Sequence, residues 1–199
     1  TIDSFIFSAM EWLDTFWATY STLALSMGTN ILLALSIYLT LACGLLTVAN
    51  AAFMGLGAYT AALLTLNSST PFVLALVAGA LLPALVALTM GRPTLRLSGV
   101  YLAMATLAFG EVLRILILNA ESLTGGALGL NGIPQHTAAL DVALTVGMTL
   151  YILVKMAGSR IGRTMVAICQ DETATELMGL NVRAYKVFVF VLGAALAGL

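Results

Sequence analysis

The chain has 199 residues, of which 61% are hydrophobic and only 9% charged, and its formal net charge at pH 7 is −1. Soluble domains carry about 25% charged residues, so this composition excludes a water-soluble globule and gives no basic footprint for nucleic acid. Backbone groups in lipid must be satisfied within their own segment, and no apolar run alternates strictly as barrel strands do, which leaves an all-α polytopic transmembrane helix bundle.

The N-terminal segment places Ile2, Phe5, Ile6, Ala9, Leu13, Phe16 and Trp17 at helical spacing, with Asp3, Glu11 and Asp14 elsewhere. That pattern predicts an amphipathic helix on the outer interface, with Trp12, Trp17 and Tyr20 in the aromatic belt. Its acids also fit an ordinary solvated face. The segment lacks the basic region of a signal peptide and starts without Met, so upstream residues are expected.

Crossing the hydrocarbon core takes about 20 residues. The spans are predicted near Thr22–Cys43, Ala49–Leu66, Pro71–Met90, Val100–Asn119 and Ala138–Met156, with a sixth beginning near Ala184. The sixth stops at Leu199, short of a full crossing, so residues 1–199 are expected to be one membrane domain of a longer protein. Arg92 and Arg96 follow the third span, and Lys155, Arg160, Arg163, Arg183 and Lys186 cluster around the connection after the fifth. Asn67–Thr70 and Glu121–Thr137 hold no Lys or Arg, so the positive-inside rule puts the basic connections in the cytoplasm and the N-terminus outside.

In the second span, Gly55-Leu-Gly57-Ala-Tyr-Thr60 superficially matches a dinucleotide-binding turn. It lies in an apolar helix, follows no strand and has Thr at its third position. Ala51, Gly55, Gly57, Ala58, Ala61 and Ala62 instead predict close approach of another helix. No Walker A sequence is present.

Glu111 and Arg114 sit three residues apart on one face of the fourth span. At 1.5 Å per residue from Val100, Arg114 is about 20 Å into a core about 30 Å thick. A lone charge there costs about 2.5–3.5 kcal/mol on the mildest scale, so the two are expected to pair, either fixing helix packing or lining a path. The external loop around Gly125, Gly126, Gly129 and Gly132 is too Gly-rich for a stable helix. His136 is read as a surface residue, with no second His to share a metal.

The segment 157–183, a cytoplasmic loop, differs in character. Seven of the seventeen charged residues fall between Ala157 and Lys186. Asp171 can cap a short helix starting at Glu172, whose charge complements the dipole, and Gly179 followed by Leu180 is a C-terminal stop. Met165, Val166, Ile168 and Cys169 form an apolar stripe framed by charges, expected to be an exposed protein contact. Cys43 and Cys169 are expected to be structural thiols, because the cytoplasm is reducing.

Four motifs occur in order: Gly44 to Ala61, Leu95 to Arg114, Leu123 to Pro134, and Ser159-Arg160-Ile-Gly162-Arg163. From about Leu33 onward the chain resembles the LivM-type permeases of bacterial branched-chain amino acid ABC importers. The resemblance implies a multi-pass subunit of the bacterial inner membrane, working in the lipid bilayer with a second related permease subunit, two cytoplasmic ABC ATPases and a periplasmic substrate-binding protein. It implies no catalytic role and no cofactor or metal in this chain, ATP being used by the partner subunits. Asn50, Phe53, Tyr59 and Thr106 in its motifs are assigned with Glu111 and Arg114 to a substrate pathway; Asn50 stands where many relatives have His. Thr173 to Gly179 occupies the place of the importers' Glu-Ala-Ala-x-x-x-Gly coupling helix, matching at Ala174 and Gly179. Arg163, Asp171, Glu172, Ala174, Glu176 and Gly179 are therefore assigned to ATPase coupling. An ion-coupled secondary transporter using Glu111, with broken helices at the midplane, is the alternative. A membrane scaffold that only anchors partners is a third reading.

Overall fold

The computed structural model describes residues 2–67, 72–126, 129–130 and 139–199. Among them lie nine helical elements, taken in chain order as α1 (Ile2–Ala42), α2 (Asn50–Asn67), α3 (Phe72–Thr94), α4 (Val100–Asn119), α5 (Glu121–Thr124), α6 (Ala139–Ala157), α7 (Arg160–Gln170), α8 (Glu172–Leu177) and α9 (Val182–Ala197). No strand occurs among the described residues.

Among the described residues, four helical stretches are long and apolar enough to cross a membrane: Thr22–Ala42, Val73–Thr94, Val100–Asn119 and Leu140–Ala157. The second predicted span forms an apolar helix that falls short of that length, Asn50–Leu66. The six predicted spans thus become four full ones, one shorter helix and the 16-residue α9.

The N-terminal segment departs from expectation. No break separates it from the first span: α1 is one helix of 41 residues, about 60 Å long. The physical reason is local, since no Gly or Pro occurs before Gly28 and nothing in Ala18–Ser21 stops a helix. The predicted amphipathic faces at Ile2 to Trp17 lie outside the described side chains, as do the loop at residues 68–71 and His136.

The core forms where α9 packs against α1, α2 and α3. Phe53, Val189 and Ala87 are fully buried. Phe53 of α2 meets Phe109 of α4 at 5.8 Å and Phe190 of α9 edge-on at 5.6 Å between ring centroids. Such tilted pairs add about 0.5–1.5 kcal/mol each beyond burial. α4 and α6 contribute few buried residues and lie at the periphery.

Part of the small-residue surface of α2 acts as predicted. A Cβ at Gly57 would overlap the backbone of Gly198, and one at Gly198 would overlap the carbonyl of Gly79 in α3. Pro83 sharpens this crossing by withholding the N–H that would bond the Gly79 carbonyl within α3. Gly55 has open space around it and Ala51 is exposed, so the packing face is narrower than the sequence indicates.

A buried polar network ties the helices further. Asn50 Nδ2 donates to Ser36 Oγ at 2.8 Å, Ser36 Oγ donates to the Gly193 carbonyl at 2.7 Å, and Thr47 Oγ1 donates to Asn50 Oδ1 at 3.3 Å. These bonds connect α1, the α1–α2 turn, α2 and α9. No buried side-chain nitrogen or oxygen among the described residues lacks a partner.

Candidate functional site

The segment from Ser159 to Lys186 folds into a hydrogen-bonded unit at one end of the bundle. Ser159 caps α7, its Oγ accepting from Ile161 N at 3.2 Å. Ile161, Met165 and Ile168 recur at helical spacing, and Met165 and Ile168 are buried in the core. A side chain at Gly162 would overlap the carbonyls of Met156 and Ala157, so glycine lets α7 fold back against the end of α6. The Ser159 and Gly162 positions of the fourth motif thus carry a cap and a close approach.

The predicted exposed stripe needs correction. Met165 and Ile168 point into the protein, while Val166 and Cys169 remain exposed. An amphipathic helix buries one face when a core lies beside it, and α7 packs against α1 and α6. The outward apolar surface lies one helix later. Leu177 and Met178, at the end of α8, are 86% and 80% exposed. Adjacent large apolar side chains held in water beside charged residues mark a contact surface.

The short helix predicted after Asp171 is present as α8. Asp171 Oδ1 accepts from Ala174 N at 3.0 Å, and the Thr175 hydroxyl donates to the Asp171 carbonyl at 2.7 Å. Gly179 has φ +82°, a left-handed conformation that costs other residues about 1–2 kcal/mol. Arg163, Asp171, Glu172, Ala174, Glu176 and Gly179 are all exposed at this end of the molecule.

Glu172 also makes a contact that sequence spacing does not reveal. Its Oε2 accepts from Lys186 Nζ at 2.6 Å; the Lys186 side chain is 11% exposed and that of Glu172 47%. This pair borders a cavity of about 250 Å³ whose walls include Cys43, Gly44, Ser98, Gly99 and Cys169. The α1–α2, α3–α4 and α6–α9 connections therefore converge at one end, as the distribution of Arg and Lys predicts. Burial pushes the Cys43 thiol up to about 11, with Lys186 nearby pulling the other way. Cys169 is exposed, so only Cys43 is an enclosed thiol.

The residues assigned to a pathway are not gathered at one place. Asn50, Phe53 and Thr106 are buried, the first in the polar network and the second in the aromatic cluster, while Thr106 Oγ1 accepts from Val48 N at 3.2 Å. Tyr59 is half-buried. Glu111 and Arg114 do pair, at 3.7 Å, but with side chains 56% and 70% exposed on the outer side of α4. They do not fix packing within the described residues. A separate cavity of about 360 Å³ lies among α1, α2, α3, α6 and the end of α9, with mostly apolar walls that include Ala61, Ala62, Thr145 and Asp141. Among the described residues no cluster of His, Cys, Asp and Glu could hold a metal.

Residues 19–199 match the family described as the branched-chain amino acid transport system permease component. The chain is 31% identical over 208 aligned positions to the high-affinity branched-chain amino acid transport system permease protein LivM of Escherichia coli K12. The alignment covers 87% of this chain and 47% of that protein. The protein of the same description from Salmonella typhimurium LT2 is 31% identical over the same shares. The chain thus spans about half the length of the curated relatives it matches. No solved structure matches it.

Proposed function

The chain belongs to the branched-chain amino acid transport system permease family, and on that premise we propose that it forms part of the membrane path of an ATP-driven importer for branched-chain or related amino acids. The observation that carries this reading is the α7–α8 unit, which presents Leu177 and Met178 to water at the end where the basic connections meet. In this reading α8 is the coupling helix on which a cytoplasmic ATPase docks, with ATP bound and hydrolysed by the partners. Two ATPases, a second permease subunit and a periplasmic binding protein complete the machine in the bacterial inner membrane.

The chemistry of this chain is mechanical. Closure of the ATPases displaces α8, and the helix bundle repacks between outward-open and inward-open arrangements. The outer face of α4 supports a path shared with the second permease, because an ion pair at that depth is costly against lipid and cheaper in a watered or protein-lined space. Glu111 and Arg114 are assigned to that side. Asn50, Phe53 and Thr106 hold the helices that border it, and Tyr59 stays an expected pathway residue.

Uptake of radiolabelled leucine into proteoliposomes containing the assembled complex tests the reading. It should require ATP and the binding protein and persist when an uncoupler collapses the proton gradient. Uptake that follows the gradient and ignores ATP would refute it in favour of an ion-coupled carrier using Glu111.

A further inference from the structure

α8 is a helix of six residues, about 9 Å long, with Thr175 buried and its other residues exposed. A force on Leu177 and Met178 reaches the membrane helices through the links that hold α8 to its neighbours. Two attachments are covalent: Asp171 joins α8 to α7, which packs against α1 and α6, and the turn from Met178 to Asn181, bent at Gly179 with φ +82°, leads into α9. With that glycine turn as the sole link between them, α8 and α9 could swing against each other, and the motion meant for α9 would be absorbed locally.

The Glu172–Lys186 contact ties α8 to α9 a second time. Glu172 stands in the first turn of α8, at the end remote from Gly179, and Lys186 stands one turn into α9. Their 2.6 Å ion pair closes a triangle whose sides are α8, the Gly179 turn and the start of α9. The ammonium is enclosed while the carboxylate is exposed, so the pair is partly sheltered from solvent screening. α9 then carries displacement onward: Val189 and Phe190 are buried in the core, and the Gly193 carbonyl accepts from Ser36 of α1 at 2.7 Å.

We infer that the Glu172–Lys186 pair is the strut that makes α8 and α9 move as one body, so that displacement of the coupling helix reaches the membrane core. Both are positioning residues that touch neither substrate nor nucleotide. The inference rests on the permease reading above and adds the route by which force leaves the docking surface.

The test uses the full chain in its assembled complex, with leucine uptake and ATP hydrolysis measured on the same proteoliposomes. The variant Glu172→Gln with Lys186→Met removes both charges, so no ion is stranded. With ATPase recovery read by pull-down and uptake normalised to the ATP hydrolysed, leucine carried per ATP should fall at least about fivefold, the lower bound of ordinary coupling between sites. Reversing the pair, Glu172→Lys with Lys186→Glu, should regain most of that ratio. A neutral pair that keeps the wild-type ratio, or a reversed pair that assembles and stays as uncoupled as the neutral one, overturns the strut. If the neutral pair fails to assemble, Glu172→Asp decides, because it keeps the charge and shortens the reach by one methylene: a reduced ratio supports the strut and a full ratio overturns it. Wild-type uptake that ignores ATP overturns the permease reading and the strut together, whereas ATP-dependent uptake with a fully coupled neutral pair overturns the strut alone.

Discussion

Replacing Asn50 with Leu keeps the side-chain volume close and deletes both ends of its amide. Two bonds vanish: the donation to Ser36 Oγ at 2.8 Å and the acceptance from Thr47 Oγ1 at 3.3 Å. Hydrogen bonds between membrane helices are worth about 0.6 kcal/mol on average and up to about 1.7. The short Ser36 contact belongs toward the upper value and the long Thr47 contact toward the lower, giving a loss of about 1–3 kcal/mol. Ser36 keeps its bond to the Gly193 carbonyl, so the network thins without collapsing. At about 2–4 °C per kcal/mol for a domain of this size, the melting temperature should drop by about 2–12 °C. Thermal unfolding of the purified protein in detergent, followed by fluorescence-detected gel filtration, reads this directly. Thr89→Val is the control, since the Thr89 hydroxyl is exposed and bonds only back to Val86 of its own helix; it should shift the midpoint by no more than about 1–2 °C. An unchanged midpoint for Asn50→Leu, or an equal drop for the control, would refute the claim that the network joins α1, α2 and α9.

Three further perturbations address the two ends of the molecule. Gly179→Val, at φ +82°, should cost α8 about 1–2 kcal/mol and reduce the ATPases recovered in pull-down, and undiminished recovery with intact transport would reject the coupling assignment. Glu111→Gln should strand the Arg114 guanidinium and lower the yield of assembled complex, whereas Glu111→Gln with Arg114→Met should recover it; equal yields from the single and double variants would show that the 3.7 Å pair is not a functional partnership. A membrane-impermeant maleimide should label Cys169 only from the cytoplasmic side. Cys43 should stay unlabelled from pH 6 to 9, because its thiol ionises only near pH 11 and the thiolate is the reactive form; labelling of Cys43 in folded protein would contradict its burial.

What the sequence discloses depends on the range of the interaction. Val100–Asn119 is read with the bounds the structure shows, because hydrophobicity and flanking residues are local signals. The α8 cap at Asp171, the stop at Gly179 and the Glu111–Arg114 pair are legible for the same reason: cause and partner lie within four positions. The signal for α7 is local too, in the Ser159 cap and the spacing of Ile161, Met165 and Ile168. Which way its apolar face turns is not, because that depends on α1 and α6 being alongside. The Glu172–Lys186 pair spans 14 positions and the Ser36–Gly193 bond 157, and no local pattern announces either. Asn50, Phe53 and Thr106 stand out in the motifs as residue types, yet whether such a residue faces a path or a neighbouring helix is decided by packing that sequence spacing does not encode.

The crossing of α2, α3 and α9 at Gly57, Gly79 and Gly198 has a mechanical consequence. Elsewhere in the core, rings and branched chains interlock, and turning one helix against another forces side chains out of their rotamer wells. At this crossing backbone lies mostly against backbone, with only Ala61 Cβ and the Pro83 ring as side-chain neighbours. The three rods meet there as smooth shafts, and Pro83, which removes one hydrogen bond from α3 beside the contact, leaves that shaft with a softer spot. A small twist about this point disturbs fewer rotamers than the same twist anywhere along the Phe53–Phe190 seam, so the geometry of the bundle places its bearing apart from its gears.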